Sequence, residues 1–226
     1  MMRSPYLVVV PFTVLVYGLS AASSGVGPIA LAAGATIGLA WAFVVGCVAQ
    51  RIGRHEQVRA KVEDALVFGG VLASAFLTCG GIMMILLMGA ALNEPSTSYQ
   101  TLAAMMAPTL PYFVIANNVL ELIVAPAVVF VGWRPGRRRT LLVAAVAGFF
   151  VVRIWTYLVY AERRTETATG PLSADDVQWY KDTLVVDYRP VLLGLILVLF
   201  LMAAFLPAHS WSARRTAERS VIGSHE

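Results

Sequence analysis

The segment NNVLELIVAP, residues 117–126, places two amides and a carboxylate in a run that is otherwise apolar. These polar side chains belong to Asn117, Asn118 and Glu121. Asn117 and Glu121 are four residues apart, so they share one face of a helix. An ionisable side chain in such surroundings usually has a partner or a function. The segment is therefore the first candidate for a site.

A second polar set follows some thirty residues later. Arg153, Tyr157 and Tyr160 are spaced by four and three residues, so they also share a helix face. Pairing with Arg153 would satisfy the charge of Glu121, and Asn117 would fill the remaining hydrogen-bond positions. We therefore predict a polar pocket in which the acid and the guanidinium are catalytic. The predicted substrate-binding residues are Asn117, Asn118, Tyr157, Tyr160 and Trp179.

The composition of the chain indicates where this pocket would lie. Of the 226 residues, 58% are apolar and only 13% are charged, with a mean hydropathy of +0.73. Soluble domains carry about a quarter charged residues. The apolar residues also form long blocks rather than amphipathic patterns, which is typical of a polytopic membrane protein. The lipid bilayer is thus the expected surrounding, with no separate soluble domain.

The apolar blocks predict an all-α bundle of six transmembrane helices. A spanning helix needs about 20 apolar residues. The blocks lie at 5–22, 27–49, 65–92, 103–132, 140–160 and 189–207, within a single domain of residues 1–208. In the fourth block, Pro108 and Pro111 interrupt the beginning. We expect the regular span to start near Pro111, with residues 101–110 as a kinked lead-in.

The basic residues predict the orientation of the bundle. With six spans, the N-terminus, the loops 51–63 and 133–139 and the tail 209–226 fall on one side. These regions hold 12 of the 17 lysines and arginines. Basic loops face the cytoplasm, so we expect both termini to be cytoplasmic, in the cell (inner) membrane. The tail 209–226 is predicted to be disordered.

The depths of the two charged residues can be estimated from the helical rise of about 1.5 Å per residue. Counted from the cytoplasmic end at Gly132, Glu121 lies roughly 17 Å deep and Asn117 roughly 23 Å. Counted from Thr140, Arg153 lies roughly 20 Å deep. The hydrocarbon core is about 30 Å thick. The acid and the base therefore fall near the same level in the bilayer.

The external connection 161–188 contains the segment PLSADDVQWYKDTL, which predicts a short amphipathic helix between the fifth and sixth spans. Ser173 followed by Asp176 is typical of a helix start. Val177 and Tyr180 recur at helical spacing on one side, and Trp179 suits a membrane surface. A solvated surface helix is the alternative. Nearby, Asp187 and Arg189 are expected to form an interfacial ion pair, and a position on the rim of the pocket is the alternative.

Small residues recur in the third span, where Gly70, Ser74 and Thr78 stand at four-residue steps. This spacing favours close packing of helices. The first segment also has features of a secretory signal, because Arg3 precedes a short apolar run. The interruption at Pro11 and the lack of a clean cleavage site favour a retained span. Cleavage stays open as the alternative.

Several function classes lack the residues that they need. The histidines, His55, His209 and His225, fall outside the predicted spans, so we expect no metal site and no cofactor. Cys47 and Cys79 lie apart in apolar blocks and are interpreted as packing residues. No aromatic and basic interleaving of the kind that binds single-stranded nucleic acid is present. The positive charge is attributed to cytoplasmic loops.

Three functions are compatible with these patterns. The leading hypothesis is a cofactor-free membrane enzyme that acts on a lipophilic small molecule, with Glu121 as its acid–base residue. The second is a transporter or permease subunit in which Glu121 is linked to protons or substrate. The third is a non-enzymatic subunit of a membrane complex, where Glu121 and Arg153 only lock two helices together.

Overall fold

A computed structural model describes residues 4–23, 27–94, 96–160, 173–185 and 187–207, and these ranges contain helices and no strand. The α-helices are α1 (Tyr6–Ala22), α2 (Gly27–Gly53), α3 (Glu56–Asn93), α4 (Tyr99–Met106), α5 (Thr109–Asn118), α6 (Ala125–Val131), α7 (Arg137–Trp155), α8 (Ala174–Val185) and α9 (Arg189–Ala204). Two π-helical segments, π1 (Val119–Val124) and π2 (Thr156–Tyr160), follow α5 and α7. The predicted disordered tail, residues 209–226, lies outside the described residues.

Four helical stretches are long and apolar enough to cross a membrane: Pro28–Gly53, Glu56–Asn93, Pro111–Val131 and Arg137–Tyr160. Two shorter apolar helices, α1 and α9, have 17 and 16 residues. Large apolar side chains point outward from the bundle, among them Ile29 at 81% and Leu158 at 68% exposure. Such a surface needs an apolar surrounding. The predicted class, an all-helical membrane protein, is thus confirmed.

The predicted basic loop 51–63 is almost entirely helical in the structure. Helix α2 continues to Gly53, and α3 begins at Glu56. The stretch contains no proline and is rich in arginine, lysine, glutamate, glutamine and alanine, which favour helix. Helix α3 has 38 residues. It is therefore about 57 Å long, and its first turns extend beyond the apolar part.

The fourth apolar block is divided, as its prolines indicated. Helix α4 ends at Met106 and α5 begins at Thr109, with Pro108 between them. Pro111 lies in the first turn of α5. Backbone N–H groups in a first turn have no acceptor within the helix, so a proline there costs no hydrogen bond. The lead-in is thus a separate short helix, and the spanning stretch starts at Pro111.

Small residues bring α3 and α9 into close contact. A Cβ atom on Gly70 would lie 2.5 Å from the ring of Phe200. Ser74 is fully buried, and its hydroxyl donates to the carbonyl of Gly70 at 2.5 Å. A Cβ atom on Gly194 would lie 3.6 Å from Thr78. The predicted packing role of this stripe is confirmed.

A second glycine contact joins α1 and α2, and the sequence analysis missed it. Added Cβ atoms on Gly34 and Gly38 would lie 2.3 and 2.4 Å from the carbonyl oxygens of Tyr17 and Thr13. Only glycine allows two helix backbones to approach this closely. The contact fixes α1 against α2, so the end of α1 reaches the site described below.

Helix α8 forms where the sequence predicted a short helix. The Ser173 hydroxyl accepts from the Asp176 N–H at 3.2 Å, and the Asp176 carboxylate accepts from the Ser173 N–H at 3.0 Å. These reciprocal bonds cap the helix. Its apolar side packs against methionines of α3, because Tyr180 is buried with Met84 and Met88. This side therefore faces the bundle.

Candidate functional site

Segment π1 interrupts the fourth apolar block next to a proline. The N–H of Ala125 donates to the carbonyl of Leu120, five residues earlier, which is the π-helical spacing. Pro126 follows, and it has no N–H with which to reach the carbonyl of Leu122. The indole N–H of Trp41 donates to that carbonyl at 2.7 Å. Helix α2 therefore holds the widened turn in place.

Segments π1 and π2 carry the acid of the charged pair and the tyrosine bonded to it. Glu121 lies in π1 and Tyr157 in π2, and Arg153 stands four residues before Tyr157 in the last turn of α7. Single π-helical turns inside α-helices are frequent at functional sites because they re-aim side chains. Here the two widened turns contribute side chains to one polar cluster.

The cluster is an ion pair with a shared hydroxyl. The Nε of Arg153 donates to the Oε2 of Glu121 at 2.7 Å. The hydroxyl of Tyr157 donates to Oε1 of the same carboxylate at 3.2 Å and accepts from the second guanidinium nitrogen of Arg153. The pairing predicted from depth is thus confirmed. The remaining hydrogen bond to the carboxylate comes from Tyr157 and not from Asn117, so that part of the prediction was wrong. Asn117 donates instead to the carbonyl of Phe113 in its own helix, at 2.7 Å.

Both charges of the pair are shielded from solvent. Glu121 is 2% exposed and Arg153 is 7% exposed. The guanidinium also lies over the Tyr157 ring, 4.4 Å from its centroid. A buried carboxylate and guanidinium satisfy each other only when their hydrogen bonds are well placed. The carboxylate has both oxygens engaged, which holds the guanidinium in one position.

A cavity of about 350 Å³ lies against this cluster. Helices α1, α3, α5, α7 and α9 contribute to it, together with π2. We call it the polar cavity because nine polar side chains line it: Ser20, Ser23, Asn117, Asn118, Arg153, Thr156, Tyr157, Asp187 and Arg189. The apolar part of the wall is formed by Leu77, Met84, Ile85, Phe113, Val114, Val152, Pro190 and Leu193.

The predicted site residues occupy different places around the polar cavity. Asn117, Asn118, Arg153 and Tyr157 line it. Glu121 is not among the lining residues and contacts the cavity only through Arg153 and Tyr157. The acid therefore lies behind the groups that a bound molecule would touch.

Tyr160 and Trp179 stand one layer further out. The Tyr160 ring lies beneath the guanidinium of Arg189, with 3.5 Å from that carbon to the ring centroid. Trp179 packs edge-on against Tyr160, with 6.0 Å between the ring centroids. Neither aromatic residue is among those that line the cavity. Tyr160 contacts the lining residue Arg189 directly, and Trp179 supports Tyr160.

The structure places a second ion pair on the cavity wall. Arg189 donates to both oxygens of Asp187, at 2.7 and 2.6 Å. The sequence predicted this pair, and its place on the cavity wall is the alternative position given for it rather than the expected one. Thr156 was also missed, although its spacing of three residues from Arg153 places it on the same face.

The arrangement suits an amphiphilic molecule. The apolar wall can contact a hydrocarbon group, while Arg153, Tyr157 and Asn118 can bind a polar head. In the described part of the chain, no group of three or more His, Cys, Asp or Glu side chains could hold a metal ion. The chemistry available to these side chains is hydrogen bonding, charge stabilisation and proton transfer.

No protein family, curated protein or solved structure matches this chain. Its function therefore has to be inferred from the polar cavity itself.

Proposed function

We propose that this chain is a six-span protein of the cell (inner) membrane that binds a small lipophilic molecule in the polar cavity and acts on it without a cofactor. The observation that supports this is the cavity of about 350 Å³, with apolar walls and a buried guanidinium at its edge. Small-molecule sites usually have volumes of about 300–1,000 Å³ and combine apolar walls with polar groups that orient the ligand.

Six spans require that α1 and α9 also cross the bilayer. With 17 and 16 residues, each is about 24–26 Å long, slightly shorter than the hydrocarbon core of about 30 Å. Helices of this length cross by local thinning of the bilayer or by extension of their ends. With six spans, both termini and the basic loops are cytoplasmic, and the polar cavity lies toward the outside.

The proposed roles differ from residue to residue. Arg153 binds an oxygen of the substrate head and stabilises negative charge that develops there. Tyr157 takes a proton from the substrate on its oxygen while its own hydroxyl proton passes to Glu121. Glu121 therefore acts through Tyr157: it holds both groups in place and is the final acceptor of the proton. Asn117 and Asn118 orient the substrate from α5, while Tyr160 and Trp179 support Arg189.

The enzyme hypothesis is tested with purified protein and a panel of fatty acids, fatty alcohols and isoprenoid alcohols, with turnover followed by mass spectrometry. We expect Tyr157→Phe and Glu121→Gln to reduce kcat by about 100-fold or more, as loss of acid–base catalysis does. Tyr99→Phe is the matched control, because Tyr99 is 49% exposed and lies away from the cavity. Full turnover by Tyr157→Phe would remove the assigned role.

A transporter is the second candidate, and a difference between the two ends of the bundle favours it. The polar cavity reaches Ser23 and Asp187 at one end. At the other end, Arg138 is bonded to Asp64 at 2.6 Å and to the carbonyl of Leu206 at 3.0 Å. A central site that extends toward one end of the bundle, with a bonded layer of side chains at the other end, is typical of one state of a transporter.

Proteoliposomes distinguish the two candidates. An imposed pH gradient is followed with an internal pH-sensitive dye, with and without the compounds of the panel. Transport predicts compound-dependent proton movement that Glu121→Gln abolishes, with no chemical change of the compound. Chemical conversion without proton movement would support the enzyme.

A further inference from the structure

A second hollow, of about 160 Å³, lies at the opposite end of the bundle from the polar cavity. Four arginines line it, namely Arg134, Arg137, Arg138 and Arg139, with Glu63 as the only carboxylate among its lining residues in the described chain. We call it the arginine pocket. The end of α9 closes it, because the carbonyl of Leu206 accepts from Arg138 at 3.0 Å.

Two of these arginines are neutralised by neighbouring acids. Arg138 lies 3.0 Å from a carboxylate oxygen of Glu63 and donates to Asp64 at 2.6 Å. Arg134 pairs with Glu56. These contacts join α7 and the preceding loop to α3. They form the floor of the pocket, where the positive charges are balanced by carboxylates.

The other two arginines keep their charge. Within the described ranges, neither Arg137 nor Arg139 has an acidic partner. Arg137 is exposed, and the guanidinium of Arg139 lies over the ring of Trp133, 5.3 Å from the centroid. The pocket therefore has a positive rim above a neutralised floor.

The position of these charges on α7 is unfavourable without a counterion. Residues 137–139 form the first turn of the helix. The positive end of the helix dipole and the unpaired N–H groups lie there, and both disfavour cations. An anion in the pocket would offset this repulsion and would contact guanidinium groups that can bind a phosphate with two hydrogen bonds.

The pocket also lies at the depth of lipid head groups. Trp133 stands between α6 and α7, at the end of two apolar spanning stretches, and tryptophan is enriched where the bilayer meets water. Basic pockets between transmembrane helices bind the head groups of anionic lipids. We propose that the arginine pocket binds the phosphate of an anionic phospholipid, with Arg137 and Arg139 as its principal contacts.

The test is native mass spectrometry of the full-length protein in detergent, titrated with phosphatidylglycerol and, separately, with phosphatidylcholine. We expect Arg137→Gln/Arg139→Gln to weaken phosphatidylglycerol binding by about tenfold to thirtyfold, since each basic residue near anionic lipid contributes about 1 kcal/mol. Phosphatidylcholine binding should change less than about twofold, because its head group has no net charge.

The matched control is Arg51→Gln/Arg54→Gln. It removes the same charge from the same end of the bundle, and Arg51 and Arg54 are exposed and lie outside the pocket. An equal loss of binding in this control would indicate diffuse attraction to the surface and would overturn the proposal. Arg137→Lys/Arg139→Lys keeps the charge and is expected to retain binding at an intermediate level.

Inorganic phosphate distinguishes a lipid from a soluble anion. The melting temperature in detergent is measured with phosphate alone and with phosphatidylglycerol alone. We expect stabilisation by the lipid that depends on Arg137 and Arg139, and little by phosphate. Equal stabilisation by phosphate, lost in the same double variant, would identify a site for a soluble anion and refute the lipid.

Discussion

Two guanidinium groups border the polar cavity, and each has a carboxylate and a tyrosine ring as partners. Arg153 binds Glu121 and lies over Tyr157, and Arg189 binds Asp187 and lies over Tyr160. Both arginines are 7% exposed. They differ in how far along the chain the acid lies: 32 residues in the first pair and two in the second.

This difference decides what each pair can do. The pair of Glu121 and Arg153 connects π1 to α7, so it links the site to the packing of the bundle. Asp187 accepts from the backbone N–H of Arg189 as well as from its side chain, so the ion pair itself lies within the start of α9, and the Arg189 guanidinium reaches π2 through the Tyr160 ring. Burial and chemistry are alike, but only in the first pair does the contact between acid and base itself join two distant segments.

The largest expected effect is that of Glu121→Ala. It leaves the guanidinium of Arg153 buried without its carboxylate, which costs about 3–5 kcal/mol of folding free energy. Thermal unfolding of the detergent-solubilised protein measures it. Replacing both partners, as Glu121→Leu/Arg153→Met, should recover much of the loss. If Glu121→Ala were as stable as the wild type, the pair of Glu121 and Arg153 would not be the more important of the two for the stability of the bundle.

Asp187→Asn should have a smaller effect, of about 1–2 kcal/mol, because it weakens charge-assisted bonds within one short stretch of chain. The same unfolding measurement applies. The helices of the bundle stay joined by Glu121, so we expect the amide region of the circular dichroism spectrum to be unchanged. A loss as large as that of Glu121→Ala would contradict the distinction between local and long-range pairs.

The smallest effect on stability is expected for Tyr157→Phe. The ring keeps its place beneath the guanidinium of Arg153, and only the hydrogen bonds of the hydroxyl are lost, at about 1 kcal/mol. Tyr157→Leu also removes the cation–π contact and should cost about 0.5–1 kcal/mol more. Comparison of the two melting temperatures separates the hydroxyl from the ring. Equal melting temperatures would exclude a contribution of the ring.

Part of this site could be predicted because helices have a fixed rise. Counting residues from two loops placed Glu121 and Arg153 at one depth, and the structure joins them at 2.7 Å. The four-residue spacing of Arg153 and Tyr157 placed both on the cavity side. The capped helix after Ser173 followed from a local hydrogen-bond pattern. Each of these predictions used only positions within one helix at a time, counted from its end or from its cap.

What could not be predicted depends on which helices become neighbours. Ser20 and Ser23 reach the cavity because glycines of α2 allow α1 to approach closely, and spacing within one span does not reveal that. The sequence leaves two positions for Asp187, the membrane interface and the pocket rim, and only the packing of the helices places it on the cavity wall. The basic loop after Arg51 was mistaken for irregular chain because charge was taken to indicate a loop.

The hydrogen bond from Trp41 to the carbonyl of Leu122 has a consequence for how two distant positions tolerate substitution. Pro126 deprives that carbonyl of its usual partner, and an unsatisfied carbonyl in lipid costs several kcal/mol. The indole compensates for the proline, so Trp41→Phe should cost less stability in a Pro126→Ala background than in the wild type. The two positions are thus coupled in stability, although they stand 85 positions apart in the sequence.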